Sequence, residues 1–189
     1  MNTALAFTFL MLLAVPVLWV LLERSRHPYY LTRKFHRAFN HPIAPEPAIP
    51  DAKTRLLRVR LLVEEVSEFA RASGYPIKVL LDWERHSSML LMDVVPELSR
   101  DELINVVEAA DAIADINVVA NGAALVWGFP QPHIDRAVFE SNMSKLGADG
   151  KPIYDEHGKI QKGPNYAPPT ERILQILRDA KSPRARGEG

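Results

Sequence analysis

The sequence predicts an all-α fold, and three observations support this prediction. Helix start and stop signals recur along the chain, no run shows strand-like alternation of useful length, and no internal repeat is found. The predicted helices cover residues 31–39, 51–73, 99–127, 132–145 and 170–180. The class is therefore helical, with loops between short and medium-length helices.

Caps and breakers define each predicted helix in turn. The amphipathic helix 31–39 precedes a stretch, 41–50, with four prolines, which predicts an extended connector. Asp51 caps the second helix, which ends at Gly74-Tyr75-Pro76. Ser99 and Glu102 match a capping box at the start of the third helix, which Gly128 and Pro130 terminate. The segment 77–95 has no clear pattern, 146–169 reads as a loop, and 181–189 as a disordered tail.

Length and composition exclude several classes of protein. The 189 residues suggest one domain with an appendage, and 23 basic residues balance 23 acidic ones. With no net charge there is no global field to attract a nucleic acid polymer, so none is expected as a partner. The absence of cysteine excludes disulfides, thiolate metal sites and cysteine nucleophiles. Any metal must be bound by oxygen or imidazole ligands.

The N-terminal segment 4–22 contains no charged residue and is just long enough to span a bilayer. Basic residues follow this run and none precedes it, so the positive-inside rule places the rest of the chain in the cytoplasm, tethered to the membrane. One alternative is a hydrophobic helix buried in the protein. The other is an upstream start codon that adds a segment not used in the mature protein. The predicted division is an anchor at 1–26, a catalytic domain at 27–180 and a tail at 181–189.

Two predicted helices carry acidic residues at positions that continue an apolar stripe. With Leu57 at zero on a helical wheel, Glu64, Glu65 and Glu68 lie at about 340°, 80° and 20°. The later helix repeats the arrangement with Glu108, Asp111 and Asp115. Solvated acidic faces are the alternative interpretation. If the stripes face the interior, the carboxylates must be protonated, paired with cations or bound to metal.

Divalent metal is the simplest neutraliser for these six carboxylates, because the arginines of the first acidic helix are only scattered along it. A ligand set made only of carboxylates suits a hard cation such as Mg²⁺, with Mn²⁺ as a possible substitute. Mg²⁺ also keeps positions for water and phosphate oxygens. The pattern thus favours a magnesium site that handles a phosphorylated substrate.

The sequence resembles the MazG-like, all-α nucleoside triphosphate pyrophosphohydrolases, including their phosphoribosyl-ATP pyrophosphohydrolase-like branch. The signature of that family, Glu-Glu-x-x-Glu followed by Glu-x-x-Asp, is matched by residues 64–68 and 108–111. Residues 35–39, 141–146 and 162–166 also look like the branch. The resemblance covers about residues 27–175. One departure is the 39 residues between the acidic motifs, which is more than the family pattern leads us to expect.

The resemblance implies a MazG-like helical bundle that hydrolyses a nucleoside triphosphate, ribo or deoxy, to a monophosphate and pyrophosphate. It implies Glu65, Glu68, Glu108 and Asp111 as the principal metal ligands, with Asp115 more remote. Glu64 would bind a further metal or act as general base. Glu64 and Lys145 are the expected catalytic residues. The expected substrate-binding residues are Asn142, Lys145, Lys162, Asn165 and Tyr166.

The resemblance also implies a homo-oligomer, a dimer or tetramer, because four helices of this kind bury little apolar surface alone. Two alternatives stay open for the activity. One is hydrolysis of phosphoribosyl-ATP, which uses the same chemistry. The other is a noncatalytic, membrane-tethered module that binds nucleotides or acts as a scaffold.

Overall fold

The computed structural model describes residues 26–75, 77–81, 90–94 and 100–181. The predicted membrane segment 4–22 and the tail from residue 182 onward lie outside the described residues. The helices are α1 (Pro28–Ala38), α2 (Ala52–Ala72), α3 (Val106–Val126), α4 (Gln131–Met143) and α5 (Thr170–Lys181). A 3-10 turn covers Asp101–Leu103, and two strands are β1 (Ile77–Leu81) and β2 (Leu90–Val94). The described residues are mostly helical, so the predicted all-α class is confirmed in part. Lys181 belongs to α5 rather than to a disordered tail.

The strands correct the prediction that the chain has none. They pair antiparallel, with Ile77 opposite Val94 and Leu81 opposite Leu90. Both runs are mostly aliphatic, so neither shows the alternation of apolar and polar residues that identifies a half-buried strand. The pair lies within the long segment between the two acidic motifs. That segment therefore adds a β-hairpin-like element to a helical fold.

The cap predicted at Asp51 is confirmed. Its carboxylate accepts hydrogen bonds from the Thr54 backbone N–H at 2.9 Å and from the Thr54 hydroxyl at 2.6 Å. Hydrogen bonds to the charged form favour it, so they lower the pKa of Asp51. The cap fixes the N-terminal end of α2, the helix that carries Glu64, Glu65 and Glu68.

The predicted start of the third helix at residue 99 is wrong. Ser99 lies outside the described residues, and α3 begins only at Val106. Asn105 caps it, because its side-chain oxygen accepts from the backbone N–H groups of Val107 at 3.1 Å and Glu108 at 3.2 Å. Glu108 therefore lies in the first turn of α3, where the helix dipole favours a negative charge.

The chain divides into two compact units. The first comprises Met1–Ile49 and Ala124–Gly189, and its core contains Tyr29, Ala124 and Leu125. The proline-rich connector is held in this unit by hydrogen bonds from Ala44 to the Leu125 carbonyl and from Ala48 to the Trp127 carbonyl, at 2.9 and 3.1 Å. Gly128 has φ +68°, and a Cβ there would lie 2.0 Å from the Glu46 carbonyl oxygen, so the close approach requires glycine.

The second unit, Pro50–Ala123, contains α2, the strand pair and most of α3. Two backbone hydrogen bonds of 2.9 Å join the end of α2 to the segment before α3. The Arg100 N–H donates to the Gly74 carbonyl, and the Asn105 N–H donates to the Ala72 carbonyl. The end of one acidic helix and the start of the other are thereby fixed next to each other.

Among the described helices, α3 alone meets the length and composition criteria for a membrane span. Core helices of soluble proteins meet the same criteria. α3 also carries Glu108, Asp111 and Asp115, and charged groups are costly within a bilayer. The three carboxylates make α3 poorly suited to the interior of a bilayer.

Candidate active site

All six predicted metal-binding carboxylates lie in the second unit, three on α2 and three on α3. In the single chain the acidic faces are mostly solvated, as in the alternative interpretation: Glu65 is half-buried, and Glu64, Glu68, Glu108, Asp111 and Asp115 are exposed. A helical wheel shows which residues share a face, but it does not show which face other elements cover. The site is thus a surface of carboxylates rather than a buried pocket.

Glu65 nevertheless shows that the two acidic helices form one electrostatic cluster. Partial burial raises the pKa of the Glu65 carboxyl, and the negative charges of Asp115, Glu68, Glu64 and Asp111 raise it further. Two of these neighbours belong to α2 and two to α3. These influences agree with the backbone hydrogen bonds that join the end of α2 to the segment before α3, so the two motifs lie near each other.

No described cation neutralises this cluster by an ion pair. The ion pairs within the described residues are Arg136–Glu140 and His157–Glu156, both outside it. Within the same residues, no three carboxylates or imidazoles are close enough to hold one metal ion. The side chains therefore carry the oxygen donors suited to a hard divalent cation, but not in a closed coordination shell.

The raised pKa of Glu65 predicts a change in stability with pH. The ionised form is disfavoured in the folded chain, so its cost is absent below the ordinary pKa of 4.5 and develops as pH rises through the folded value. In EDTA at pH 7, Glu65→Gln should raise Tm by about 1 °C or more, because it removes one of several repelling charges. At pH 4 the gain should vanish. Calorimetry of both proteins at the two pH values checks this, and an equal gain at both would contradict it.

The predicted phosphate-binding segments lie in the first unit, and the structure brings them together. The Gly163 N–H donates to the Lys145 carbonyl at 2.9 Å. A Cβ on Gly163 would lie 2.1 Å from the Leu146 carbonyl oxygen, so only glycine permits this contact. The Lys145 ammonium donates to the Asn142 side-chain oxygen at 2.8 Å, and that of Lys162 lies 4.6 Å from the centre of the Tyr166 ring.

Two serines hold this lysine loop, which we define as residues 141–146 together with 162–167. The Ser141 hydroxyl donates to the Ala167 carbonyl at 2.8 Å, and the Ala167 N–H donates to the Ser144 hydroxyl at 3.0 Å. Asn142, Lys145, Lys162 and Tyr166 thus form one cluster, and exposed Asn165 lies in the same turn. The two ammonium groups are positioned by contacts within the chain.

Sequence reasoning missed Arg58, which lies on α2 two turns before Glu65 and on the same side of the helix. It is only 7% exposed, and its Nε is buried without a hydrogen-bond partner. Burial lowers the pKa of its guanidinium. The only sequence signal was its spacing of seven residues from Glu65, which places two opposite charges on one face.

The model of the phosphoribosyl-ATP pyrophosphohydrolase family matches residues 32–142, which include both acidic motifs. One similar solved structure is that of a candidate NTP pyrophosphohydrolase from Exiguobacterium sp. 255-15. It is 23% identical, the match covers 80% of this chain and 94% of that one, and the TM-score is 0.38. No protein of curated function matches the chain.

The family match, which contains both acidic helices, places the chain in the MazG-like class of helical nucleotide pyrophosphohydrolases. Because the family model matches more than half of its length, the chain belongs to the phosphoribosyl-ATP pyrophosphohydrolase family. Pyrophosphohydrolysis of a nucleotide is the general activity that this membership indicates.

Proposed function

We propose that the chain is a magnesium-dependent enzyme that hydrolyses a ribo- or deoxyribonucleoside triphosphate to a monophosphate and pyrophosphate. The observation that carries this proposal is that the two acidic motifs lie on α2 and α3, whose adjoining ends are joined by two backbone hydrogen bonds. The raised pKa of Glu65, caused first by burial and then by carboxylates of both helices, agrees with this. Mutual repulsion of this kind is costly to a fold and is relieved by a bound cation. Functional sites are where such perturbed groups concentrate.

Glu65, Glu68, Glu108 and Asp111 would hold the metal, with Mn²⁺ as a substitute for Mg²⁺ and Asp115 farther out. When bound, the metal neutralises charge on the phosphate oxygens and favours deprotonation of the attacking water. The carboxylates fit this role by their chemistry, since Mg²⁺ prefers oxygen ligands and keeps positions for water and phosphate. Binding would require rotation of these side chains toward one another, which staggered rotamers permit.

Glu64 and Lys145 have the proposed catalytic roles. Glu64 lies next to Glu65 and is exposed, so its carboxylate is available to orient and deprotonate water. Lys145, with Lys162, offers ammonium groups to phosphate oxygens. Asn142 fixes the Lys145 ammonium, and Asn165 and Tyr166 are the remaining proposed substrate contacts.

Phosphoribosyl-ATP is the second candidate substrate, and the family match favours it. Both candidates share the same cleavage and differ in the group attached to the triphosphate. The deciding experiment incubates the purified chain with Mg²⁺ and each nucleoside triphosphate or phosphoribosyl-ATP, and measures pyrophosphate. If kcat/KM is at least about tenfold higher for phosphoribosyl-ATP than for any nucleoside triphosphate, phosphoribosyl-ATP is the substrate. If no substrate yields pyrophosphate, the result favours the noncatalytic, membrane-tethered module.

A homo-oligomer, dimer or tetramer, is part of this proposal. Four apolar residues of α2, Leu56, Val59, Val63 and Val66, are spaced by three, four and three residues and are all exposed. This spacing places them on one face, which lies opposite Glu64 and Glu68. A second copy of the chain would cover this face, as an exposed apolar stripe of this length is typical of an interface.

A membrane tether through residues 4–22, with the catalytic domain in the cytoplasm, is the proposed location. Full-length protein should sediment with membranes and resist extraction by high salt, because an apolar run of this length partitions into lipid. Deletion of residues 1–26 should release the chain and leave its activity unchanged, since both acidic motifs lie beyond residue 63. Full-length chain of verified mass that stays soluble at low and high salt would contradict the tether.

A further inference from the structure

A cavity of about 450 Å³ opens at the C-terminal end of α2, within the second unit. Its volume is in the range typical of small-molecule sites. The residues that matter for its chemistry are Ser67, Arg71, Gly74, Tyr75 and Arg100. No predicted site residue is among the described residues that line it.

The backbone at Gly74 brings the two arginines to this cavity. Gly74 has φ +81°, a left-handed conformation that favours glycine, and the chain reverses there after α2. Its carbonyl accepts a hydrogen bond from the Arg100 N–H at 2.9 Å, and a Cβ on Gly74 would lie 3.0 Å from the Arg100 carbonyl oxygen. Arg71, in the last turn of α2, and Arg100 therefore face one space from two separate segments.

The described lining of the cavity includes cationic side chains suited to an anion. Two of its described residues are arginines, and none of the described lining residues is acidic. Neither arginine makes an ion pair with a residue of the described ranges. The Ser67 hydroxyl is already used, since it donates to the Val63 carbonyl at 2.6 Å, whereas the Tyr75 hydroxyl makes no hydrogen bond with a described residue. Arginine pairs are well suited to bidentate binding of phosphate.

The position of the cavity along α2 links it to the acidic cluster. Arg71 follows Glu68 by three residues, so the two lie on the same side of the helix, about 4.5 Å apart along its axis. A phosphate chain that contacts metal at Glu68 therefore reaches the cavity within about one helical turn. Two guanidinium groups suit the charged β and γ phosphates better than the uncharged nucleoside end, because phosphate oxygens accept charge-assisted hydrogen bonds.

We propose that this cavity binds the pyrophosphate part of the nucleotide substrate through Arg71, Arg100 and the Tyr75 hydroxyl. The inference rests on the proposed function and adds residues that the acidic motifs and the lysine loop do not include. It gives the leaving group a fixed place next to the carboxylates. Water then attacks the α phosphorus, and pyrophosphate leaves from that atom.

Equilibrium binding of inorganic pyrophosphate to the full chain, measured by calorimetry with Mg²⁺, tests this inference. Arg71→Gln and Arg100→Gln should each weaken binding about tenfold or more, because each removes charge-assisted hydrogen bonds. Arg60→Gln, at an exposed arginine of α2 that does not line the cavity, should bind like the unchanged chain. Circular dichroism checks that all variants are folded, and adenosine is titrated as an uncharged comparison.

Each result separates this inference from the proposed function. Unchanged pyrophosphate affinity in both cavity variants would overturn the inference, even if the chain hydrolyses nucleoside triphosphates. Failure of the unchanged chain to bind pyrophosphate would also overturn it, as would adenosine binding that depends on Arg71. Loss of affinity confined to the cavity variants would support it, even in a chain without hydrolytic activity.

Discussion

Glu68→Gln and Asp111→Asn are each expected to lower kcat by about 1,000-fold or more in the presence of Mg²⁺. Each substitution keeps the size of the side chain and removes one negative oxygen donor. Loss of a metal ligand removes several kcal/mol of transition-state stabilisation, and each 1.4 kcal/mol corresponds to a factor of ten. Release of pyrophosphate under saturating substrate measures the effect.

Glu171→Gln is the matched control for these variants, because Glu171 is an exposed acid in the first turn of α5, outside the acidic motifs. It should keep the activity of the unchanged chain. Thermal unfolding separates chemistry from folding, since both motif variants should unfold at or above the Tm of the unchanged chain when metal is removed. A folded Glu68→Gln or Asp111→Asn protein with near-normal turnover would mean that the metal site is assigned to the wrong residues.

Val63→Glu should convert the homo-oligomer into monomer. Val63 lies within the exposed apolar stripe of α2, and a carboxylate buried there without a partner would cost several kcal/mol in the assembly. We expect the dissociation constant to rise about 100-fold or more. Analytical ultracentrifugation over a range of concentrations, in detergent to keep the N-terminal segment soluble, measures this change.

Val138→Glu provides the comparison, because Val138 of α4 is exposed to the same degree, 38% against 37% for Val63. It adds the same charge without altering the stripe, so the assembly should persist. A monomeric unchanged chain would rule out the proposed oligomer. An assembly that survives Val63→Glu would show that the stripe is not the interface.

The sequence predicted features that depend on a few neighbouring residues better than features that depend on residues far apart in the chain. The Asp51 cap depends on contacts within four residues, and it is present as predicted. A capping box was predicted at Ser99, but α3 begins at Val106 and is capped by Asn105. The strands were missed because both are short aliphatic runs, whose pairing depends on residues about ten positions or more apart.

The site shows the same division between local and long-range information. The spacing of the glutamates and aspartates identified the residues that share a helix face, and the backbone hydrogen bonds between the end of α2 and the segment before α3 show that the two motifs lie near each other. Spacing could not show that most of these carboxylates are exposed, since exposure depends on which faces other elements cover. Nor could it show the contact between Lys145 and Gly163, or the burial of Arg58, because these depend on the folded arrangement of each unit.

The central claim is that the chain cleaves a nucleotide between its α and β phosphates. The most direct measurement separates the products of Mg²⁺-dependent hydrolysis by ion-exchange chromatography at early times, with no inorganic pyrophosphatase present. We expect nucleoside monophosphate and pyrophosphate in equal amounts, with no diphosphate. Nucleoside diphosphate and orthophosphate as the first products would contradict the claim and place the chain's chemistry in another class of phosphohydrolase.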